Sequence, residues 1–190
     1  MEKKIGVLAL QGDFEAHRKA IERAGADACD VRNSADLERV DGLIIPGGES
    51  STMLKLILEE NLFEPLREYG RKKPVFGTCA GAILLASEVL NPQQECLGLM
   101  DLTVERNGYG RQIDSRIAEI HLDGRPAEAV FIRAPVIRRV GFGVNVLAEY
   151  LGTPVLAEQG RHLVATFHPE LSPDQRVHSR FIQKVDANRN

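Results

Sequence analysis

Gly77-Thr78-Cys79-Ala80-Gly81 sets a thiol among small residues, after the apolar run PVFG and before the apolar AGAILL. Read as a strand-to-helix turn, Gly-X-Cys-X-Gly has the spacing of a nucleophile elbow. The reacting side chain sits on a strained backbone, and glycines on both sides let the crossing segments approach. A helix starting at Ala80 would aim its free N–H groups at the sulfur, which favours the nucleophilic thiolate, and makes the Ala80 N–H a candidate oxyanion donor. The same spacing also suits a packed core thiol, since cysteine is among the most buried residue types. Cys29 and Cys96 lack this setting and are expected at packing or surface positions. Three widely spaced cysteines with no CxxC pair suggest neither a disulfide framework nor a zinc site, and fit a reducing compartment.

A second group lies in TFHPEL. His168 and Glu170 are two residues apart, so on extended backbone they share a side, and Pro169 fixes the chain between them. A carboxylate so placed can hold an imidazole that takes a proton from a thiol and returns it to a leaving amine. Alone, the tripeptide reads rather as a strand end at the surface. In PGGES, Gly47 and Gly48 let backbone approach a ligand and turn N–H groups inward, with Ser50 or Ser51 as the expected N-cap of the next helix. No Gly-Lys-Ser/Thr follows, so this is not a phosphate loop. Arg106 and Arg133 end strand-like runs and are candidates for binding a carboxylate, against the usual expectation of a solvated arginine. His17, His121, His162 and His178 are expected to be solvated, and their spacing makes no metal site.

These groups need a scaffold, and 190 residues with 43% hydrophobic content suffice for one core, so residues 1–190 are expected to form a single domain. GVLAL, GLIIP and PVFG are continuously apolar, as in parallel strands covered on both faces, and amphipathic stretches such as 13–25 alternate with them. From about Leu97 the runs alternate in polarity, which suggests antiparallel additions and a closing helix near 174–185. The expected fold is α/β, with ligands beyond the carboxyl ends of the parallel strands, where LALQGDF, IIPGGESS and FGTCAGA end. The charge of -3 comes from 24 basic and 27 acidic residues dispersed along the chain, which suits neither nucleic acid nor an anionic membrane. The N-terminus does not read as a signal peptide and no apolar run is long enough to span a bilayer, so a cytoplasmic location is expected.

GTCAG, PGGES and HPE, in this order on an α/β rhythm, resemble the class I glutamine amidotransferase family. LALQGDF, VERNGYGRQ and VFIRAP narrow the resemblance to its pyridoxal 5'-phosphate synthase glutaminases. The resemblance implies a flavodoxin-like three-layer mixed sheet, with Cys79 attacking the amide of L-glutamine and His168 and Glu170 as base and orienting acid. It places Gly47, Gly48, Glu49, Arg106, Ile132 and Arg133 on glutamine and makes Gly48 and Ala80 the oxyanion hole. Gln11 falls on a loop near that hole and the synthase interface. It also implies no cofactor or metal of its own. Ammonia would pass to a TIM-barrel synthase subunit in a large hetero-oligomeric complex, whose product is pyridoxal 5'-phosphate. Two other readings are a PfpI-type cysteine hydrolase, where the histidine usually follows the cysteine closely, and a non-catalytic glutamine-binding module.

Overall fold

A computed structural model describes residues 3–108 and 115–190; Tyr109 to Gln112 of the NGYGRQ stretch lie outside the described residues. The first half builds β1 (Lys4–Leu8), α1 (Phe14–Arg23), β2 (Asp27–Val31), α2 (Ser34–Glu38), β3 (Gly42–Ile45), α3 (Ser50–Glu59), α4 (Phe63–Lys72), β4 (Val75–Thr78) and α5 (Ala80–Leu85). The second half adds β5 (Glu88–Leu90), β6 (Leu102–Glu105), β7 (Ser115–Leu122), β8 (Arg125–Ile132), β9 (Val136–Val140), β10 (Asn145–Tyr150), β11 (Thr153–Gln159) and β12 (His162–Ala165). A 3-10 turn at Pro169–Leu171 and α6 (Arg176–Arg189) follow.

Seven strands pair in the order β10-β11-β12-β4-β3-β1-β2. From β12 to β2 they run parallel, and β10 and β11 extend one edge antiparallel. The continuous apolar runs follow from coverage on both faces. Leu43 and Ile45 pack with Met53, Ile57 and Leu66, whereas the intervening Ile44 packs with Ile21 and Phe181 on the other side. The alternating second half also forms a three-stranded sheet, β5-β6-β9, and the hairpin β7-β8. Among the described residues no helix is long and apolar enough to cross a membrane.

Local chemistry sets the helix ends. Asp13 caps α1 by accepting from the Ala16 N–H. Gly25, at φ 87, closes the helix as Ala26 N–H donates to Ile21 O and Gly25 N–H to Glu22 O. The amphipathic pattern of residues 51–70 runs on without a break, yet the stretch falls in two helices. Asn61 takes φ 56, a conformation asparagine tolerates, and Leu62 N–H donates back to Ile57 O to end α3. The expected serine cap of α3 is corrected. Glu49 is the N-cap, accepting from the Ser51 and Thr52 N–H groups, while the Ser50 hydroxyl donates to Gln94. Likewise AGAILLASEVL is helical only to Leu85, and Glu88–Leu90 pairs with β6.

The expectation of solvated histidines holds for His121 only; His17, His162 and His178 are buried. Burial, aided by Arg23, lowers His178 to about 4, and burial, aided by Arg161, lowers His162 to about 4. With the folded pKa below the unfolded value of about 6.5, the unfolded chain binds protons more tightly between the two. Stability is therefore intact above pH ~6.5 and is lost as pH falls toward 4. At about 1.4 kcal/mol per unit, His178 alone contributes about 3 kcal/mol over that window. Urea-denaturation free energies measured from pH 7 to 4 should decline on this scale; a flat profile would contradict neutral, buried rings.

Candidate active site

The strand order sets β12, β4, β3 and β1 side by side and parallel, so the loops leaving their carboxyl ends share one edge. Those loops carry His168, Cys79, Gly47 with Gly48, and Gln11. This is the edge where an open α/β sheet gathers backbone N–H groups and loops around a ligand.

Cys79 joins β4 to α5 with φ 50 and ψ -105, a strained conformation for a non-glycine residue. Two backbone bonds hold it there: its N–H donates to Ala165 O at 2.8 Å, and its carbonyl accepts from Ile83 N–H at 3.2 Å. The flanking glycines are required by space. A Cβ on Gly77 would strike the Gly81 carbonyl, and one on Gly81 would strike the Ile45 carbonyl. The thiol is 6% exposed, with Sγ 3.8 Å from the carbonyl of Ile132.

His168 leaves β12 with its N–H donating to Val130 O of β8 at 2.8 Å, so the hairpin fixes its backbone. Its Nδ1 lies 2.7 Å from Oε1 of Glu170, which is buried in the 3-10 turn. Burial alone would lower the imidazolium pKa, but the interactions with Cys79 and Glu170 outweigh it and push His168 up to about 10. The other nitrogen, Nε2, is buried without a hydrogen bond of regular geometry. A cysteine at a strained elbow beside an imidazolium held by a carboxylate can attack an acyl carbon while the imidazolium protonates the leaving amine.

The glycine loop closes over this pair. A Cβ on Gly47 would lie 2.5 Å from His168 Cε1 and 3.3 Å from Cys79 Cβ. Gly48, at φ 153, could carry no side chain without striking Gln11 Oε1, which also accepts the Glu49 N–H at 3.2 Å. Gln11 thus braces the loop from the end of β1. Glu49 also meets Arg106, whose Nη2 donates to Oε1 at 3.1 Å; the Thr52 hydroxyl first, then backbone N–H groups and Arg106, hold its carboxyl below the usual range. Arg133 follows Ile132 at φ 45, is exposed, and among the described residues makes no hydrogen bond or ion pair.

A model of the SNO glutamine amidotransferase family matches residues 7–187. The chain belongs to the SNO glutamine amidotransferase family. It is 61% identical to a pyridoxal 5'-phosphate synthase subunit PdxT of Solibacter usitatus, covering 96% of this chain and all of the relative. A protein of the same name from Koribacter versatilis is 56% identical over 96% of this chain and 95% of its own. A solved structure described as a glutamine amidotransferase superposes with a TM-score of 0.90 at 45% identity, covering 96% of this chain and 98% of that one. The flavodoxin-like amidotransferase fold expected from the motifs is the fold found.

In this amidotransferase the geometry brings together Cys79, Ala80, His168, Glu170, Gly47, Gly48, Gln11 and the Ile132 carbonyl, with Arg106 joined through Glu49. Among the described residues no three His, Cys, Asp or Glu side chains group as a metal site. A cavity of about 550 Å³ lined by Arg67, Arg71, Arg161 and His162 opens near the start of β12, at the opposite edge of the sheet. Three residues escaped the sequence reading. His17 Nε2 lies 3.4 Å from Glu170 Oε2 and 3.0 Å from Thr78 Oγ1, and His17 Nδ1 lies 3.0 Å from His178 Nε2. The signal existed: His17 stands three and four residues before the buried Ala20 and Ile21, on the inward face of α1.

Proposed function

We propose that the chain hydrolyses the side-chain amide of L-glutamine to L-glutamate and ammonia through a cysteinyl thioester, and passes the ammonia to a pyridoxal 5'-phosphate synthase in vitamin B6 synthesis. The observation that carries this reading is the buried line from Cys79 through His168 to Glu170, set against the Gly47-Gly48 loop. Cys79 Sγ, its proton on His168, attacks the amide carbon. The oxygen takes up negative charge toward the N–H groups of Gly48 and Ala80. As the C–N bond breaks, His168 gives its proton to the nitrogen, releasing ammonia and leaving the thioester. His168 then takes a proton from water, whose oxygen attacks the thioester carbon, and glutamate departs as the thiol re-forms. Glu49, Arg106, Ile132 and Arg133 frame the amino-acid end of the substrate, with the Arg133 guanidinium suited to the α-carboxylate.

The names of the relatives, subunits of a pyridoxal 5'-phosphate synthase, support a synthase partner; the motif resemblance extends this to a separate TIM-barrel subunit, in a large hetero-oligomeric assembly in the cytoplasm, that consumes the ammonia and forms the cofactor. Unused ammonia is waste, so the isolated chain should release glutamate slowly and accelerate when the synthase subunit is added. The measurement is glutamate release alongside glutamine-dependent pyridoxal 5'-phosphate formation in the mixed complex. Full activity of the chain alone, unchanged by the partner, would refute the coupling.

A further inference from the structure

We propose that His17 is a positioning residue for this reaction: the N–H edge of its Nε2 supports the second oxygen of Glu170, so that the first stays aimed at His168 Nδ1. The proposal rests on the hydrolytic reading given above. Glu170 Oε1 is engaged by His168, but Oε2 is buried without a hydrogen bond of regular geometry, and its neighbour is His17 Nε2 at 3.4 Å. Both side chains are fully buried, so solvent cannot serve that oxygen. A bare carboxylate oxygen in such a place costs free energy unless a positive edge faces it.

The proton positions on His17 follow from the network. A lone pair at Nε2 would face the Glu170 carboxylate and repel it, whereas an N–H there attracts it and also donates to Thr78 Oγ1 at 3.0 Å. With the proton on Nε2, Nδ1 is an acceptor, and it lies 3.0 Å from His178 Nε2, which then donates. His178 Nδ1, buried without a partner, is left a bare acceptor rather than an orphaned donor. The groups facing His17 come from three further elements: Thr78 on β4, His178 on α6 with Arg23 of α1 near it, and Glu170 and His168 beyond β12. Burial, with His178 and His168 adding to it, holds His17 far below its ordinary pKa, so it acts as a neutral donor.

The test compares His17→Leu, His17→Gln and His17→Asn in the full chain with its synthase subunit. Glutamine can place an N–H near the position of Nε2; asparagine reaches only as far as Nδ1. In His17→Leu, kcat for glutamate release should fall about tenfold or more with KM little changed, as expected for loss of the polar contact that orients Glu170. The acid limb of kcat/KM should move to higher pH, because a His168 imidazolium held less firmly by Glu170 pairs less strongly with Cys79. His17→Gln should recover most of both, a rescue that mere filling of space does not produce. A second readout needs no turnover: iodoacetamide alkylation of Cys79, followed on its peptide by mass, should begin at higher pH in His17→Leu than in the wild type. If the leucine variant does not fold, glutamine exceeding asparagine supports the role, and equal activity of the two overturns it. Wild-type kcat and an unmoved acid limb in a folded His17→Leu would also overturn it. If the wild type releases no glutamate but the alkylation profile still shifts, the positioning role stands and the hydrolytic reading falls.

Discussion

Replacing Cys79 by alanine is expected to reduce glutamine hydrolysis to background, a loss of about 10⁴-fold or more for removal of a covalent nucleophile, while fold and synthase binding persist. The substitution deletes one buried sulfur and leaves the φ of 50 to a side chain no larger than the original, so the elbow keeps its backbone bonds to Ala165 and Ile83. Glutamate release by the synthase complex is the measure, with thermal melting as the control for folding. Cys29→Ala and Cys96→Ala should retain activity: both thiols are half-buried, burial raises both pKa values, and neither stands at an elbow. Ammonia release by the Cys79→Ala protein at a substantial fraction of the wild-type rate would remove the nucleophile assignment.

Gly47→Ala should cost kcat about 10²-fold without touching a reacting atom. The added Cβ would sit 2.5 Å from His168 Cε1 and 3.3 Å from Cys79 Cβ, so the imidazole, the thiol or the loop must shift by a large part of an ångström. Displacements of about 1 Å from the productive geometry cost on this scale. The control is Gly25→Ala, where φ is 87 and nothing lies within 4 Å of the new Cβ. That change strains a helix end and should lower stability by about 1 kcal/mol with kcat unchanged. Steady-state kinetics on the two variants separates site crowding from backbone strain, and a Gly47→Ala kcat within twofold of the wild type would show that the loop yields.

The chemistry was legible where it depended on spacing along the chain. Gly77-X-Cys79-X-Gly81 forms an elbow because its glycines answer a local steric demand, and His168 and Glu170 meet because only a proline separates them. The parallel core was legible because burial on both faces leaves a run such as GLII without polar interruption. What stayed hidden depended on contacts distant in sequence. His17 was passed over as solvated because its imidazole is polar, although its place on α1 gave the inward direction; that Thr78, His178 and Glu170 would receive it is set by β4, α6 and β12. The cap of α3 was read on the serines by propensity, but Gln94 takes the Ser50 hydroxyl and the longer Glu49 side chain reaches the N–H groups. The break at Asn61 shows a residue that favours the left-handed conformation prevailing over an amphipathic pattern that continues through it.

The way β12 closes the elbow has a consequence for synthesis on the ribosome. Ala165 supplies the carbonyl that anchors the Cys79 N–H, and β12 lies between β4 and β11 in the sheet. A nascent chain that has already emerged beyond Cys79 therefore lacks both the Ala165 clamp on its thiol residue and the proposed base, His168, until the segment around 165–170 is made. On the proposed mechanism, products that end before that segment carry the cysteine but no means of splitting glutamine, so incomplete chains would release no ammonia.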